Sequence, residues 1–464
     1  MSRIRTFFSH LKEAVKGEDR DYTKGSINLA IFMLAVPMVL EVALESVFAV
    51  VDIYFVSKLS NNAVAIVGLT ETVLSLVYSI AIGISMSATA MVARRIGEGS
   101  RRKASMAAYH AILLGLAVSL VLGVAGYFLA ESILRWLGAS EDMISEGVGY
   151  TRIIFAANYS VVFLFVLNGI FRGAGNAAVA MHALWIANGL NIVLDPILIF
   201  GLGPIPALGI EGAAIATAVG RSAGVLFQIW ILFKGKSHIR FSRPVLVVRP
   251  AILITLVKVS IGGIGQYLIN SASWIFLAKI VARFGADTLA GYTIAIRLII
   301  FAIMPSWGIG NAASTLVGQN LGAGQPDRAN TSVWRAAFIN MIFMGLVAIF
   351  FFFLAAPLVA FFSSDPDVVH AAVDALRIIC LGYMFYAYGM VLSMAFNGAG
   401  DTRTPTIINF IAFWLMQIPL AYFLAETSSL GPKSVYLAIL ISETALALMA
   451  IFWFRKGYWK KVEI

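Results

Sequence analysis

Charge is what this chain has least of. Asp, Glu, Lys and Arg make up 12% of its 464 residues, about half the share of roughly 25% usual in a soluble globular domain. Cysteine is nearly absent: the single Cys380 excludes an intrachain disulfide and any Cys-based metal site. The five histidines, at 10, 110, 182, 238 and 370, show no ligand spacing. No HExxH, paired His or Ser–His spacing marks an enzyme, and GEGSRRKA (97–104) lacks the GxxxxGK[ST] of a nucleotide-binding loop. We therefore expect no catalytic residue and no cofactor. The opening stretch also lacks an apolar core that ends in a small-residue cleavage site, so it does not read as a removable signal peptide. Residues 1–26 read instead as a cytoplasmic lead-in whose Phe7, Phe8 and Leu11 rest on the bilayer surface.

What is present in excess is hydrocarbon. Hydrophobic residues reach 60% and the mean hydropathy is +0.88. The apolar residues fall in runs such as 106–130 and 336–362, long enough to cross a bilayer as helices. Reading these runs against Gly, Pro and charge breaks predicts about twelve spans, near 29–57, 63–93, 106–130, 146–170, 178–201, 211–233, 251–281, 288–318, 334–362, 369–396, 405–426 and 434–455. The fold class is an all-α polytopic membrane protein. Lys and Arg crowd alternate loops, with Arg94, Arg95, Arg101, Arg102, Lys103, Arg172, Arg328 and Arg403 on the same side as both ends of the chain. The opposite side holds little beyond Lys58, Arg135, Arg283 and Lys433. This bias predicts cytoplasmic termini. The formal net charge of +10 is then a topology signal and not a nucleic-acid-binding surface, because the basic residues follow the loops.

The chain repeats itself. FRGAGN at 171–176 returns as FNGAGD at 396–401, 225 residues later. At the same offset ISMSATAMVARRIGEGSRRKA (84–104) falls on IGNAASTLVGQNLGAGQPDRA (309–329), and KLSNNAVAIVG (58–68) on RFGADTLAGYT (283–293). Three agreements without a gap imply two halves of six spans each, both entering from the same side. The expected organisation is a segment 1–26, a first bundle 27–233, a basic linker 234–250, a second bundle 251–455 and a tail 456–464. Parallel six-helix repeats recur among secondary transporters that work by moving one bundle against the other.

Three carboxylates interrupt the oil of the first span, Glu41, Glu45 and Asp52 in LEVALESVFAVVD. At about 100° per residue they lie within about 40° of one another, with Phe48 on the same stripe. An acid near the bilayer centre costs about 2.5–3.5 kcal/mol on insertion scales, so the stripe is expected to face a polar cavity or a partner. No Lys or Arg lies between Lys24 and Lys58 to supply one from the same helix. The repeat replaces these acids by Gln266, Asn270 and Leu277, which places the chemistry in the first half. A second acid lies in NIVLDPILI (191–199), where Asn191 and Asp195 are four apart and stack on one face. Pro196 cannot donate to the carbonyl of Ile192 and is expected to loosen the helix there. Asp52 and Asp195 both fall in the outer part of their spans. Two carboxylates with an Asn amide and a freed carbonyl can trap a proton or coordinate Na⁺ through oxygen. Lys258, Lys279 and Arg297 are candidates to pair with Glu41, Glu45 or Glu71, or to reach for headgroups. Met33, Met38, Met86, Met91 and YMFYAYGM (383–390) are candidates to line an adaptable cavity.

Taken together, VPMVLEVALESVFAVVDIYFVSKL, NIVLDPILI and the FRGAGN/FNGAGD pair resemble the multidrug and toxic compound extrusion (MATE) family over essentially the whole chain. The resemblance implies an inner-membrane antiporter that expels organic, often cationic, compounds against an H⁺ or Na⁺ gradient, with H⁺ the expected ion. It carries the family's cation site onto Asp52, Asn191 and Asp195, with Thr217 joining them. The NorM-like branch has an acid in helix seven and another in helix ten. This chain has neither, and so looks more like the branch of DNA-damage-inducible protein F. Glu41, Glu45, Phe48, Gln266 and Asn270 are the expected substrate-cavity residues, and any Na⁺ is expected at Asp52, Asn191 and Asp195. The expected partners are small organic molecules and the bilayer, and the expected assembly is a monomer. A lipid or lipid-linked oligosaccharide flippase of the same superfamily is the alternative; it would be expected to have a basic cavity, whereas these residues are acidic.

Overall fold

The computed structural model describes all of the chain except residues 1, 18–19, 235–237 and 242–244, and gives no side chain at 2–4, 47, 49 and 50. Lys236 and Arg243 of the basic stretch 234–250 lie outside the described residues. The described residues are helical from end to end, with an isolated bridge between Leu202 and Ile205 and no strand. After a leading helix α1 (Ser2–Lys16) come α2 (Ile27–Val56), α3 (Asn61–Gly97), α4 (Arg101–Trp136), α5 (Glu141–Ala156), α6 (Asn158–Gly173), α7 (Ala177–Phe200) and α8 (Gly209–Phe233). The series resumes with α9 (Pro250–Val281), α10 (Ala286–Gly322), α11 (Pro326–Ala360), α12 (Pro366–Cys380), α13 (Tyr383–Ala399), α14 (Arg403–Asn409), α15 (Ile418–Thr427) and α16 (Lys433–Lys456). Among the described residues, nine of these helices and the joined stretches α5–α6 and α14–α15 are long and apolar enough to cross a membrane, eleven spans in all, or twelve with the bent pair α12–α13 taken as one span.

The duplication holds at the level of single residues. Helix α10 begins and ends 225 residues after α3, and α4, α5 and α6 each begin 225 before α11, α12 and α13. Ser140 caps α5 by accepting from the backbone N–H of Met143, and Asp365, the equivalent position, caps α12 by accepting from Asp367 and Val368. The GAG of each repeated loop has two different physical duties. A methyl group at Gly173 would meet the carbonyl oxygen of Thr89 at 2.7 Å, and one at Gly398 would overlap that of Ser314, so α6 can touch α3 and α13 can touch α10 only through glycine. Gly175 and Gly400 both close their turns at φ +87°, the left-handed region that glycine enters without strain.

Three of the predicted spans are not single regular helices. The span expected at 146–170 breaks at Ala157, where the Asn158 side chain donates to the carbonyl of Phe155 at 2.7 Å and to that of Ser119 at 3.2 Å. Its repeat breaks at the equivalent position, Leu381–Gly382, with a bend of 59° between α12 and α13. The span expected at 405–426 carries a wide turn over Phe410–Gln417, just before Pro419. Proline cannot donate to the preceding turn and its ring crowds the carbonyl four residues back, so a wider turn there relieves the clash. By contrast α7 runs on through Pro196 to Phe200.

By contact the chain forms two units. One comprises Met1–Asp21 with Val36–Ser260, the other Tyr22–Ala35 with Ile261–Ile464. Each boundary falls inside the first long helix of a half, at Val36 in α2 and Ile261 in α9, rather than in the loop 234–250. In the first unit α1 ends at Gly17, whose φ of +74° and close approach to Ala178 leave no room for a side chain. Phe7 and Phe8 are 51% and 61% exposed. In the second unit, Leu277, Tyr292, Tyr383 and Tyr436 sit in the packed core, with the Tyr292 and Tyr436 rings stacked at 6.2 Å.

Candidate cation-coupling site

The site is assembled where α2, α7 and α8 meet in the first unit. Helix α8 presents Gly212, Gly220 and Gly224 to α7, and methyl groups there would strike the carbonyls of Leu198, Ala187 and Ala183. Backbone-to-backbone approach of this kind is typical of packed membrane helices. It sets Thr217 beside Asn191, whose Nδ2 donates to Thr217 Oγ1 at 3.1 Å. The Asn191 side chain also lies beside Asp195 one turn on, and the carboxyl groups of Asp195 and of Asp52 in α2 act on each other electrostatically. All four residues predicted to share the site are thus neighbours.

Their unused atoms are informative. Asp195 is fully buried, and neither of its oxygens has a donor. The same holds for Asp52 Oδ1 and Asn191 Oδ1. An acceptor buried without a donor costs free energy, more so when charged. Four such oxygens converging on one place form a set that a proton or a small hard cation satisfies. No group of three His, Cys, Asp or Glu is arranged as a metal centre among the described residues.

Three further residues complete the electrostatics. Glu71 of α3 and Arg221 of α8 both act on the Asp52 carboxylate, one repelling and one attracting, and Arg221 acts on Glu71 as well. Arg221 Nη2 donates to the Tyr78 hydroxyl at 3.1 Å and the guanidinium stands 6.0 Å from that ring. Buried Tyr150 of α5 closes the same neighbourhood. Arg221 was not among the expected partners, because the bases inside spans that were weighed, Lys258, Lys279 and Arg297, all lie in the second half. Its signal was the arginine itself, an intramembrane cation, which here acts on Glu45, Asp52 and Glu71.

The other acids of the stripe are already engaged. Glu41 is 2% exposed and forms an ion pair with Arg172, while Asn168 donates to it at 3.1 Å. Gln228 in turn donates to Asn168 at 2.6 Å. The partner that α2 lacks on its own helix therefore comes from the FRGAGN loop, and Arg172 is not a free topology charge. Glu45 accepts from Asn188 Nδ2 at 2.9 Å, and Phe48 is buried. In the second unit Gln266 exchanges two hydrogen bonds with Asn397, at 2.9 and 3.1 Å, and donates to the Thr402 carbonyl. Asn270 accepts from Trp274 on its own helix. Lys258, Lys279 and Arg297 are exposed, and Glu41, Glu45 and Glu71 find their partners within the first unit. Met33, Met38 and Met91 are packed in the interior. One acid of the second half escaped the sequence reading altogether: Glu443 of α16, which acts on Tyr386 of α13.

Comparison with known proteins identifies the family. The MatE family model matches the chain twice, over residues 37–197 and 264–423, one copy in each half of the duplication. The chain is 26% identical over 435 residues to the probable multidrug resistance protein NorM of Thermotoga maritima, covering 94% of both. It is also 26% identical to a FAD transporter of Shewanella oneidensis, over 87% of this chain and 89% of that one. A solved structure of MATE in the straight conformation superposes with a TM-score of 0.89 at 27% identity, over 95% of this chain and 99% of its own. The chain belongs to the MatE family of multi-pass membrane transporters, which are driven by ion gradients and are not enzymes.

Proposed function

We propose that this protein is a proton-coupled antiporter that exports organic cations or cationic amphiphiles across the inner membrane by alternating access. Asp52 and Asp195 take up the proton, Asn191 and Thr217 hold the pair in register, and both termini stand in the cytoplasm of a monomer. The observation that carries this reading is the facing carboxyl pair with its undonated oxygens. A proton shared between the two acids supplies the donor that neither has. Na⁺ at Asp52, Asn191 and Asp195 uses the same oxygens and is the competing ion.

Protonation removes the repulsion between α2 and α7. It thereby alters the packing of α2, whose Pro37 already leaves the Met33 carbonyl without its helical donor. A change in α2 is felt at Glu45 and at the cavity wall that holds the cargo. One charge moving through about 150 mV releases about 3.5 kcal/mol, which sustains a gradient of roughly a few hundredfold. Glu41, Glu45, Asp52 and Asp195 stand buried or half-buried in the first unit, with exposed Glu71 beside them, against Arg94, Arg172 and Arg221. That balance favours a positive cargo over the anionic dinucleotide carried by the Shewanella relative or the head of a lipid-linked sugar. The test is proton release. Adding a lipophilic cationic dye to the purified protein in weakly buffered detergent should release protons from the wild type and none from Asp52→Asn. Tight dye binding by the wild type without proton release would contradict the assignment.

A further inference from the structure

The second unit carries a cleft of about 520 Å³ between the first turn of α2 and the face of α11 bearing Asn330, Trp334, Phe338 and Ile342. Its walls change character along a line. Asn28, Asn330 and Thr331 are polar, Trp334 and Arg335 are amphipathic, and Phe338 and Ile342 are apolar and 52% and 48% exposed. From residue 330 to 342 the rise along a helix is about 18 Å, the depth from a headgroup well into the acyl region. Trp334 sits at the transition, where indole rings collect at membrane interfaces.

The polar end is also the cationic end. Arg335 Nη1 donates to Asn28 Oδ1 at 3.4 Å, which uses one of the five N–H groups of its fork. The Arg455 guanidinium stands 5.7 Å from the Trp334 ring centroid and adds a second positive charge at this level. Arg328 fixes the approach to α2 by donating to the carbonyls of Tyr22, Lys24 and Gly25, so Asn28 is held in place. The nearby acid Asp327 is paired with Lys460 at 3.2 Å.

We propose that this cleft binds an anionic phospholipid of the surrounding bilayer, distinct from the transported cargo. The phosphate is recognised by Arg335 with Asn28, Asn330 and Thr331, and an acyl chain lies along Phe338 and Ile342. Basic pockets between membrane helices are the usual seats of anionic headgroups, and guanidinium forks match phosphate oxygens. The lipid joins the first turn of α2 to α11.

Retained lipid reads this out. Purified protein is relipidated with equal mole fractions of phosphatidylglycerol and phosphatidylcholine, returned to detergent and analysed by native mass spectrometry. The wild type should retain phosphatidylglycerol roughly tenfold over phosphatidylcholine, and Arg335→Gln should bring the ratio near one. Should Arg335→Gln fail to fold, Arg335→Lys keeps the charge without the fork and should retain a preference of only about threefold. Excess inorganic phosphate should leave the lipid count unchanged. Equal retention of both lipids by the wild type, an unaltered ratio in the variants, or displacement by inorganic phosphate alone would each overturn the proposal.

Discussion

The two halves of this molecule are one design used twice and charged once. Glu41 pairs with Arg172 in the first half; 225 residues on, Gln266 pairs with Asn397 at the same two positions. The contact between the first long helix and the GAG loop is thus kept in both halves, while its charges are confined to one. Asp52 has no such counterpart: its equivalent is Leu277, fully buried in the second unit's core. Position 41 therefore has a packing role that an amide pair also fills, whereas position 52 has a role the second half has given up. Duplication separates the two kinds of acid more cleanly than burial does.

The strongest way to break this comparison is at the unmatched position. Asp52→Asn and Asp195→Asn should each lower coupled efflux by more than about a hundredfold, as the loss of an essential proton carrier does, while leaving the melting temperature within a few degrees of wild type. Collapse of the fold in both variants would move these acids into the packing class. Next comes the matched pair. Glu41→Gln alone leaves a buried guanidinium without its carboxylate and should cost about 3–5 kcal/mol of stability. Adding Arg172→Asn installs the second half's pair in the first half and should recover most of that loss, a coupling measured by a double-mutant cycle of thermal unfolding. No recovery would mean that the charges themselves are needed. A smaller effect is expected at Thr217→Ala, which removes the acceptor of the Asn191 amide: roughly three- to tenfold weaker proton coupling, seen as a shift in the pH dependence of efflux. The smallest concerns Glu443→Gln. If ion uptake belongs to the first half alone, efflux should change by less than about twofold; a loss as large as that of Asp52→Asn would give the second half a coupling acid of its own.

Much of the fold was legible because its causes are local and repeated. Apolar runs give the spans, glycines at fixed positions give the loops, and one offset ties them together. The breaks at Ala157 and at Leu381–Gly382 were hidden, because neither AANYS (156–160) nor CLGYM (380–384) carries a proline or a charge. The cause at the first is an Asn158 side chain that captures carbonyls, one of them on a neighbouring helix. In the site, Asp52, Asn191 and Asp195 stood out as polar groups where polarity is costly, Thr217 followed only from the family resemblance, and the structure brings Thr217 beside Asn191. Arg172 was misjudged because a residue in a short basic loop reads as a topology charge, yet here its side chain turns inward to Glu41. Arg221 was passed over because bases inside spans were weighed only in the second half, at Lys258, Lys279 and Arg297.

The central claim is that ion uptake by Asp52 and Asp195 expels the cargo. Its most direct test is efflux of a cationic dye from proteoliposomes under an imposed pH gradient and, separately, an imposed Na⁺ gradient. The account predicts rapid efflux under the pH gradient, little under Na⁺, and neither in Asp52→Asn or Asp195→Asn. Wild-type rates from either variant would contradict it.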